Sequence, residues 1–430
     1  MKISKLNIES YRHLQNLNFD FTYQTGERKG QPLDKICFIG QSATGKTGLL
    51  ELIYEQFSFI NNLFVTNNNQ YNDLIGIKSI NGKIKFEAHK STLELNKKEF
   101  KLNGNTYYNR PPQTGTLNLS GELFKNPDDK KKIFYFKANI ISENNLELFS
   151  KNPIDLIEKN NNQLKDLAHY FRHVHNNEFI FNSEVDPRIW LTVLSEILDY
   201  RKKSTQKISE LLHNLDINKF PLEYQKWQNE NPNGLAFFAK EFNPILEKLN
   251  LEVDLVNTEY SIPIKNRRTQ EIIPIQDIST GTKGLLLSFL PLFKLDTTDS
   301  IILIDEPERS LYPDMQMDLM DHYQNLAPKA QFVVATHSPF IAASFEADER
   351  FILYFDEEGK VAVRRGTSPI GDDPNDILKN DFGINYYNKH GEEAYQKYLN
   401  LKEEIANETD PQKKKYLLLE TVKLGDTYNF

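Results

Sequence analysis

Gly40-Gln41-Ser42-Ala43-Thr44-Gly45-Lys46-Thr47 decides the reading of this 430-residue chain. Its spacing is G-x-x-x-x-G-K-T, the P-loop pattern. The apolar run Ile36-Cys37-Phe38-Ile39 before it reads as a buried strand, and Gly48 to Tyr54 after it reads as a helix packed on that strand. Strand, glycine loop and helix start together make a concave anion site, because loop N–H groups and the helix N-terminus face the same point. In such a cradle Lys46 reaches the β- and γ-phosphates and the Thr47 hydroxyl binds Mg²⁺. Gly40, Gln41, Ser42, Ala43, Thr44, Gly45, Lys46, Thr47 and Gly48 are therefore the expected phosphate-binding residues. At average glycine content a random chain of this length carries the pattern roughly once in a hundred.

The composition suits a chain of one large or two to three ordinary domains. Hydrophobic residues make up 39% and aromatics 12%, enough for a substantial core. The net charge of −8 argues against a generally basic nucleic-acid surface and leaves room only for a local one. The single cysteine, Cys37, cannot form an internal disulfide, which fits a reducing, cytoplasmic compartment. Met1 to Ile8 alternates like a strand and has no apolar signal core. No apolar run is long enough to span a membrane.

Working outward, Ile3 to Ile8 and Leu17 to Phe21 read as strands before the P-loop. Residues 64–78 read as loop. Between 79 and 108 apolar residues recur at a period of two, and Asn103-Gly104 is a hairpin signal, so this stretch reads as an antiparallel meander. Ile133-Phe134-Tyr135-Phe136 is another buried strand. From Pro153 the period becomes helical, with helices expected around 154–174, 190–212 and 237–249. Strand character returns at 251–262 and 271–275. Thr282 to Phe293 is helical, and Phe351 to Tyr354 and Val361 to Val363 form a late strand pair. Residues 388–423 are charged helices.

The chemistry gathers at two later strand ends. Ile301-Ile302-Leu303-Ile304 closes on Asp305-Glu306, the Walker B arrangement: the Asp holds Mg²⁺ and the Glu polarises the attacking water. Phe332-Val333-Val334-Ala335 closes on Thr336-His337, and a histidine there can meet the γ-phosphate and that water. Ser279-Thr280-Gly281-Thr282-Lys283-Gly284 opens a helix ahead of Asp305, where Ser279 and Gly281 can donate to phosphate oxygen or simply cap the helix.

These pieces, in this order, resemble an ABC-type ATPase head of the RecF/SMC group, particularly its OLD-like branch. The resemblance rests on the P-loop, Ile278 to Lys283 as signature, Ile304-Asp305-Glu306-Pro307-Glu308 as Walker B, Ser310-Leu311-Tyr312-Pro313 as D-loop, and Ala335-Thr336-His337-Ser338-Pro339 as H-loop. It covers about 1–140 and 255–385. Tyr11-Arg12-His13-Leu14 also resembles the start of such heads, which implies that Arg12 and His13 approach the nucleotide near its adenine. Asp305 lies 258 positions beyond Thr47, an interval an ABC head tolerates through an insertion and an AAA+ module or small GTPase does not. Thr280 and Lys283 depart from the transporter signature, which argues against a transporter subunit. The Q-loop is best placed at Ser142-Glu143. Too little chain follows His337 for a TOPRIM nuclease domain.

The expected fold is thus α/β: a P-loop NTPase ABC-type head with an antiparallel β subdomain, a parallel β core and an inserted helical arm. The expected parts are an N-terminal ATPase lobe at 1–150, the arm at 151–252, a C-terminal ATPase lobe at 253–387 and terminal helices at 388–430. The resemblance implies ATP and Mg²⁺ as ligands. It also implies a head-to-tail homodimer in which the P-loop of one chain meets Ser279 of the next. It further resembles the ATPase subunits of Septu and PARIS anti-phage systems, which implies a separately encoded effector, expected to be a nuclease. A RecF-like DNA-maintenance ATPase and an ATP-holding scaffold with little turnover are the rival readings. His169, His173 and His175 read as a solvated or packed face rather than a metal site, and the lysine runs at 130–132 and 413–415 and the basic run Arg201-Lys202-Lys203 as solvated faces. DNA or RNA contact remains open if those runs meet on one side of a dimer.

Overall fold

The computed structural model describes residues 2–62, 83–88, 91–96, 99–108, 132–153, 155–156, 158, 178–214, 219–384 and 389–428. Ile3–Tyr11 (β1) and Leu14–Asp20 (β2) form a hairpin turned by Arg12 and His13. Ile84–Ala88 (β4), Ser91–Leu95 (β5), Glu99–Leu102 (β6) and Asn105–Tyr108 (β7) add to it as the meander, giving a six-stranded antiparallel sheet in the order β2-β1-β4-β5-β6-β7. Its last turn has Asn103 and Gly104 at φ of 49° and 86°, the left-handed pair that an Asn-Gly hairpin adopts.

The second sheet carries the site. Lys35–Gly40 (β3) lies between Arg350–Phe355 (β15) and Gln331–Ala335 (β14), and the full order is β16-β15-β3-β14-β13-β8-β9. Here β8 is Ile133–Phe136, β9 is Glu178–Phe181, β13 is Ile301–Asp305 and β16 is Val361–Arg365. All neighbours are parallel except β15 and β16. The central strands read as unbroken apolar runs because both faces are covered. Ile36 and Phe38 face one cluster, with Phe19, Phe21, Leu303 and Val333; Cys37 and Ile39 face the other, with Ile304, Val334 and the helices. Lys46–Asn62 (α1) packs into the first cluster through Leu49, Leu50 and Ile53.

Helices cover the opposite face: Glu143–Ser150 (α2), the first half of Pro187–Asn214 (α3), Gly234–Glu247 (α5) and Thr280–Lys294 (α6), while Phe220–Glu230 (α4) buries no residue and lies along α3, with Trp227 against Tyr200. Trp190 and Leu194 of α3, Phe238 and Phe242 of α5, and Leu286 and Phe289 of α6 share one core. Part of the stretch expected to be a helical arm, the first half of α3 and α5, therefore shares the core of the sheet, and the stretch includes β9, whose Phe179 and Phe181 stack on Phe134 and Phe136 of β8. A small sheet of Leu251–Val253 (β10), Ile264–Asn266 (β11) and Ile272–Ile273 (β12) leads into α6. Pro313–Met317 (α7), Leu319–Leu326 (α8) and Pro339–Ala343 (α9) follow, and Lys389–Asn407 (α10) and Pro411–Tyr428 (α11) close the chain as a helical hairpin. The expected loop at 64–78, most of the helix at 154–174 and all three of His169, His173 and His175 lie outside the described residues. Among the described residues no helix is long and apolar enough to cross a membrane.

Near the C-terminal end of the head sits a charged pair with no solvent exposure. Arg350, the first residue of β15, meets Asp381, the last residue of a π-helical turn at Ile377–Asp381, at 2.8 Å. The guanidinium also donates to the carbonyls of Ala342 (3.1 Å), Phe345 (2.9 Å) and Ser368, and the Thr367 N–H donates to Asp381 at 2.9 Å. Charges this deep persist only when paired and hydrogen-bonded. The pair ties the segment after β16 to α9 and to the strand beside β3.

Candidate functional site

Parallel strands β3, β13 and β14 end side by side, and ligand sites in such sheets form outside those carboxyl ends. The loop after β3 needs unusual backbone angles. Gly40 has φ 134°, and a Cβ there would lie 1.9 Å from the Leu353 carbonyl oxygen; Gly45 has φ 92° and abuts His13 and Leu14. Thr44 donates to the Gln41 carbonyl at 2.8 Å, closing the loop. Lys46 folds into it, donating to the Gly40 and Gln41 carbonyls at 2.8 Å each. Burial pulls its ammonium down to about 8, against the opposing pull of Asp305, Glu306 and Glu308.

The Thr47 hydroxyl lies 3.1 Å from each carboxylate oxygen of Asp305 at the end of β13. Burial, with Glu306, Glu308 and Glu51 nearby, pushes the Asp305 carboxyl up to about 6, although the Thr47 hydroxyl works the other way. An all-oxygen donor set around an under-compensated anion suits a hard dication such as Mg²⁺. Glu306 follows with φ 51°, a left-handed backbone that a non-glycine residue rarely adopts, and its N–H donates to Ala335 of β14 at 2.9 Å. Strain of this kind costs on the order of 1–3 kcal/mol and gathers at functional sites. His337 lies just beyond β14. Burial and the neighbouring Lys46 hold its imidazole below the usual histidine range, opposed by Glu306.

The β1–β2 turn lies over the loop. The Arg12 guanidinium is 3.8 Å from where a Gly48 Cβ would stand, and it pairs with Glu51 of α1 at 2.7 Å. Glu51 also holds Lys137, at the end of β8, at 3.2 Å. These two cations hold its carboxyl below the ordinary range despite burial. The sequence reading missed Glu51 and Lys137. A helix position four residues after Thr47 carries no signal until the sheet order brings β8 and the β1–β2 turn beside it.

Three expected residues make their bonds and contacts elsewhere. Ser279 is exposed and caps α6: its hydroxyl accepts from the Thr282 N–H at 3.2 Å and meets the Thr282 hydroxyl at 2.7 Å. Among the described residues its bonds stay within that turn. Gly281, in the first turn of α6, is packed so tightly that a Cβ would lie 2.4 Å from the Ser310 carbonyl oxygen. Ser142, at the expected Q-loop, is engaged locally. It caps α2 and donates to the Ser183 carbonyl at 2.7 Å.

A phosphate loop, an acid pair at the end of a nearby parallel strand and a histidine at the end of the strand between them define a P-loop ATPase. The chain belongs to the AAA ATPase domain family, whose model matches residues 1–342. It is 21% identical over 424 residues to the retron Vc95 probable ATPase of Vibrio cholerae serotype O1 biovar El Tor, spanning 88% of this chain and 78% of that one. A 72-residue stretch, 17% of this chain and 18% of the relative, is 33% identical to the Septu protein PtuA of Bacillus thuringiensis. Among solved structures, the SMC head domain from Thermotoga maritima aligns over 86% of this chain and 100% of its own, at TM-score 0.40 and 12% identity. The SMC head bound to the C-winged helix domain of ScpA aligns over 85% and 97%, at TM-score 0.40 and 14% identity. The protein is a nucleotide-binding, AAA-type ATPase.

Proposed function

We propose that the protein is an ATP-switched sensor or scaffold of a bacterial anti-phage defence complex, hydrolysing ATP as a dimer and controlling a separately encoded effector, expected to be a nuclease. One observation carries the dimer. Lys46, Thr47, Asp305, Glu306 and His337 gather at one sheet end, while Ser279 is exposed and, among the described residues, bonded only within its own helix turn. A second copy can bring that exposed serine to the site. In the closed pair, Lys46 and the P-loop amides hold the phosphates, and Ser279 of the neighbour completes the γ-phosphate shell. Glu306 takes the proton of the attacking water, and His337 holds that water and the γ-phosphate in line. Arg12 and His13 border the nucleotide from the β1–β2 turn. Thr47 and Asp305 are the residues that would hold Mg²⁺, which supplies charge neutralisation on the phosphates.

Each nucleotide bridges two chains, so ATP favours the closed pair and hydrolysis releases it. Residues 1–150 and 253–387 act as the two ATPase lobes, 151–252 as an arm seated on them and 388–430 as the terminal helices. The defence role is supported by the two relatives, a retron ATPase and a Septu protein, rather than by the site itself. Purification from the native operon, with mass measurement with and without ATP, tests both parts. The expected result is a partner protein and an ATP-dependent rise in mass. A lone monomer under both conditions refutes the proposal. DNA-stimulated hydrolysis without a partner would favour the RecF-like reading, and tight ATP binding with no turnover the scaffold.

A further inference from the structure

We propose that Glu308 is the positioning residue of the hydrolytic histidine, a role that rests on the reading of His337 given above. The sheet stops directing the chain one residue before His337: the Thr336 N–H makes the last bond of that kind, to the Phe38 carbonyl at 3.1 Å. Pro339 begins α9, and Ser338 is taken up as its cap, accepting from Phe340 and Ile341. The His337 amide lies between these two anchors and donates to the Glu308 carboxylate, Oε1, at 2.8 Å. The Thr336 hydroxyl lies against the same carboxylate. The other oxygen, Oε2, is buried and takes no donor among the described residues.

Glu308 is itself well held. It sits in the turn after Glu306, where Arg309 N–H donates to the Glu306 carbonyl at 3.1 Å and Leu311 N–H to the Glu308 carbonyl at 2.9 Å. The Arg309 guanidinium fastens the turn to the Ala138 carbonyl at 2.8 Å. Gln316 joins the Leu311 carbonyl, at 2.7 Å, to the Ser338 hydroxyl, at 2.5 Å. A rigid turn that begins at the general base therefore sets the direction of the backbone that carries the histidine. Misplacement of a reacting group by about 1 Å can cost on the order of a hundredfold in rate without weakening ground-state binding.

The test uses the full chain, steady-state ATP hydrolysis and fluorescent-nucleotide titration. Glu308→Gln keeps an acceptor at Oε1 and places an amide where Oε2 has no partner. Glu308→Met keeps the volume and removes the acceptor. Glu308→Gln is expected to stay within about threefold of the parent kcat, while Glu308→Met falls about tenfold or more with ATP affinity within about twofold. If Glu308 acts through His337, adding Glu308→Met to His337→Ala lowers kcat by less than about twofold further. Independent losses that multiply in the double variant, or a Glu308→Gln as slow as Glu308→Met, overturn the assignment. So does a parallel loss of ATP affinity. Normal turnover by His337→Ala alone instead overturns the reading of His337 and this inference with it. If Glu308→Met lacks a cooperative unfolding transition, Glu308→Asp, which withdraws the carboxylate by one methylene, carries the same comparison.

Discussion

Replacing Asp305 by Asn is expected to stabilise the nucleotide-free protein while abolishing its response to Mg²⁺ and ATP. The carboxyl is raised from 3.8 to about 6, first by burial and then by Glu306, Glu308 and Glu51. A raised carboxylate penalises folding: the penalty is absent below pH 3.8, where both states are protonated, and grows until the folded group also ionises near pH 6. Two units correspond to about 3 kcal/mol. Attraction between Asp305 and Lys46 is lost as well, which offsets part of the gain. The net expectation is about 2 kcal/mol at pH 7.5 and about half of that at pH 5, because the folded carboxyl is then mostly neutral. Asn keeps an oxygen for the Thr47 hydroxyl, so the site geometry survives. Urea denaturation of both proteins with EDTA and no nucleotide, at the two pH values, measures the difference. Addition of Mg²⁺ and ATP should then raise the parent midpoint strongly and the variant's little. A variant less stable than the parent at pH 7.5, or a gain larger at pH 5 than at 7.5, refutes the reasoning.

Other perturbations bear on separate links. Glu306→Gln should bind ATP, lose turnover by about a hundredfold or more and accumulate closed dimer on gel filtration; normal turnover removes the general-base assignment. Gly281→Ala places a methyl against the Ser310 carbonyl, and the forced shift should cost about 1–3 kcal/mol by denaturation and lower ATPase activity; an unchanged midpoint would show that the loop yields freely. Arg350→Met strands the buried Asp381 carboxylate and should cost about 3–5 kcal/mol, whereas Arg350→Met with Asp381→Leu should recover most of it. Lys46→Ala should abolish ATP binding in a nucleotide titration yet leave the unfolding midpoint of the nucleotide-free protein unchanged or higher, since burial disfavours that ammonium.

Local chemistry was legible wherever a short segment dictates its own backbone. The glycines at 40 and 45 are required by their positive φ and by the crowding at each position. The Asn103-Gly104 turn and the apolar runs of β3, β13 and β14 are read from neighbours within a few residues. Where a reading depended on packing, it drifted. That the Ser142 hydroxyl caps α2 and bonds the Ser183 carbonyl is visible only in the folded chain. Glu178–Phe181 was absorbed into a helical block because its neighbours have helical period, and only Phe134 and Phe136 across the sheet give it a strand's partners.

From the sequence alone came the P-loop, the acid pair, the histidine and their order, because each is a contiguous motif of a few residues at a strand end. The tertiary structure decided what stands next to what. The strand order β15-β3-β14-β13-β8 brings Gly40, His337, Asp305 and Lys137 to one edge from positions scattered along the chain. It also gives Glu51 two cations, Arg350 its buried Asp381 and the His337 amide its acceptor at Glu308. Those pairings are long-range: no local backbone preference specifies them, and they form only when burial of both sheet faces has fixed the order of the strands.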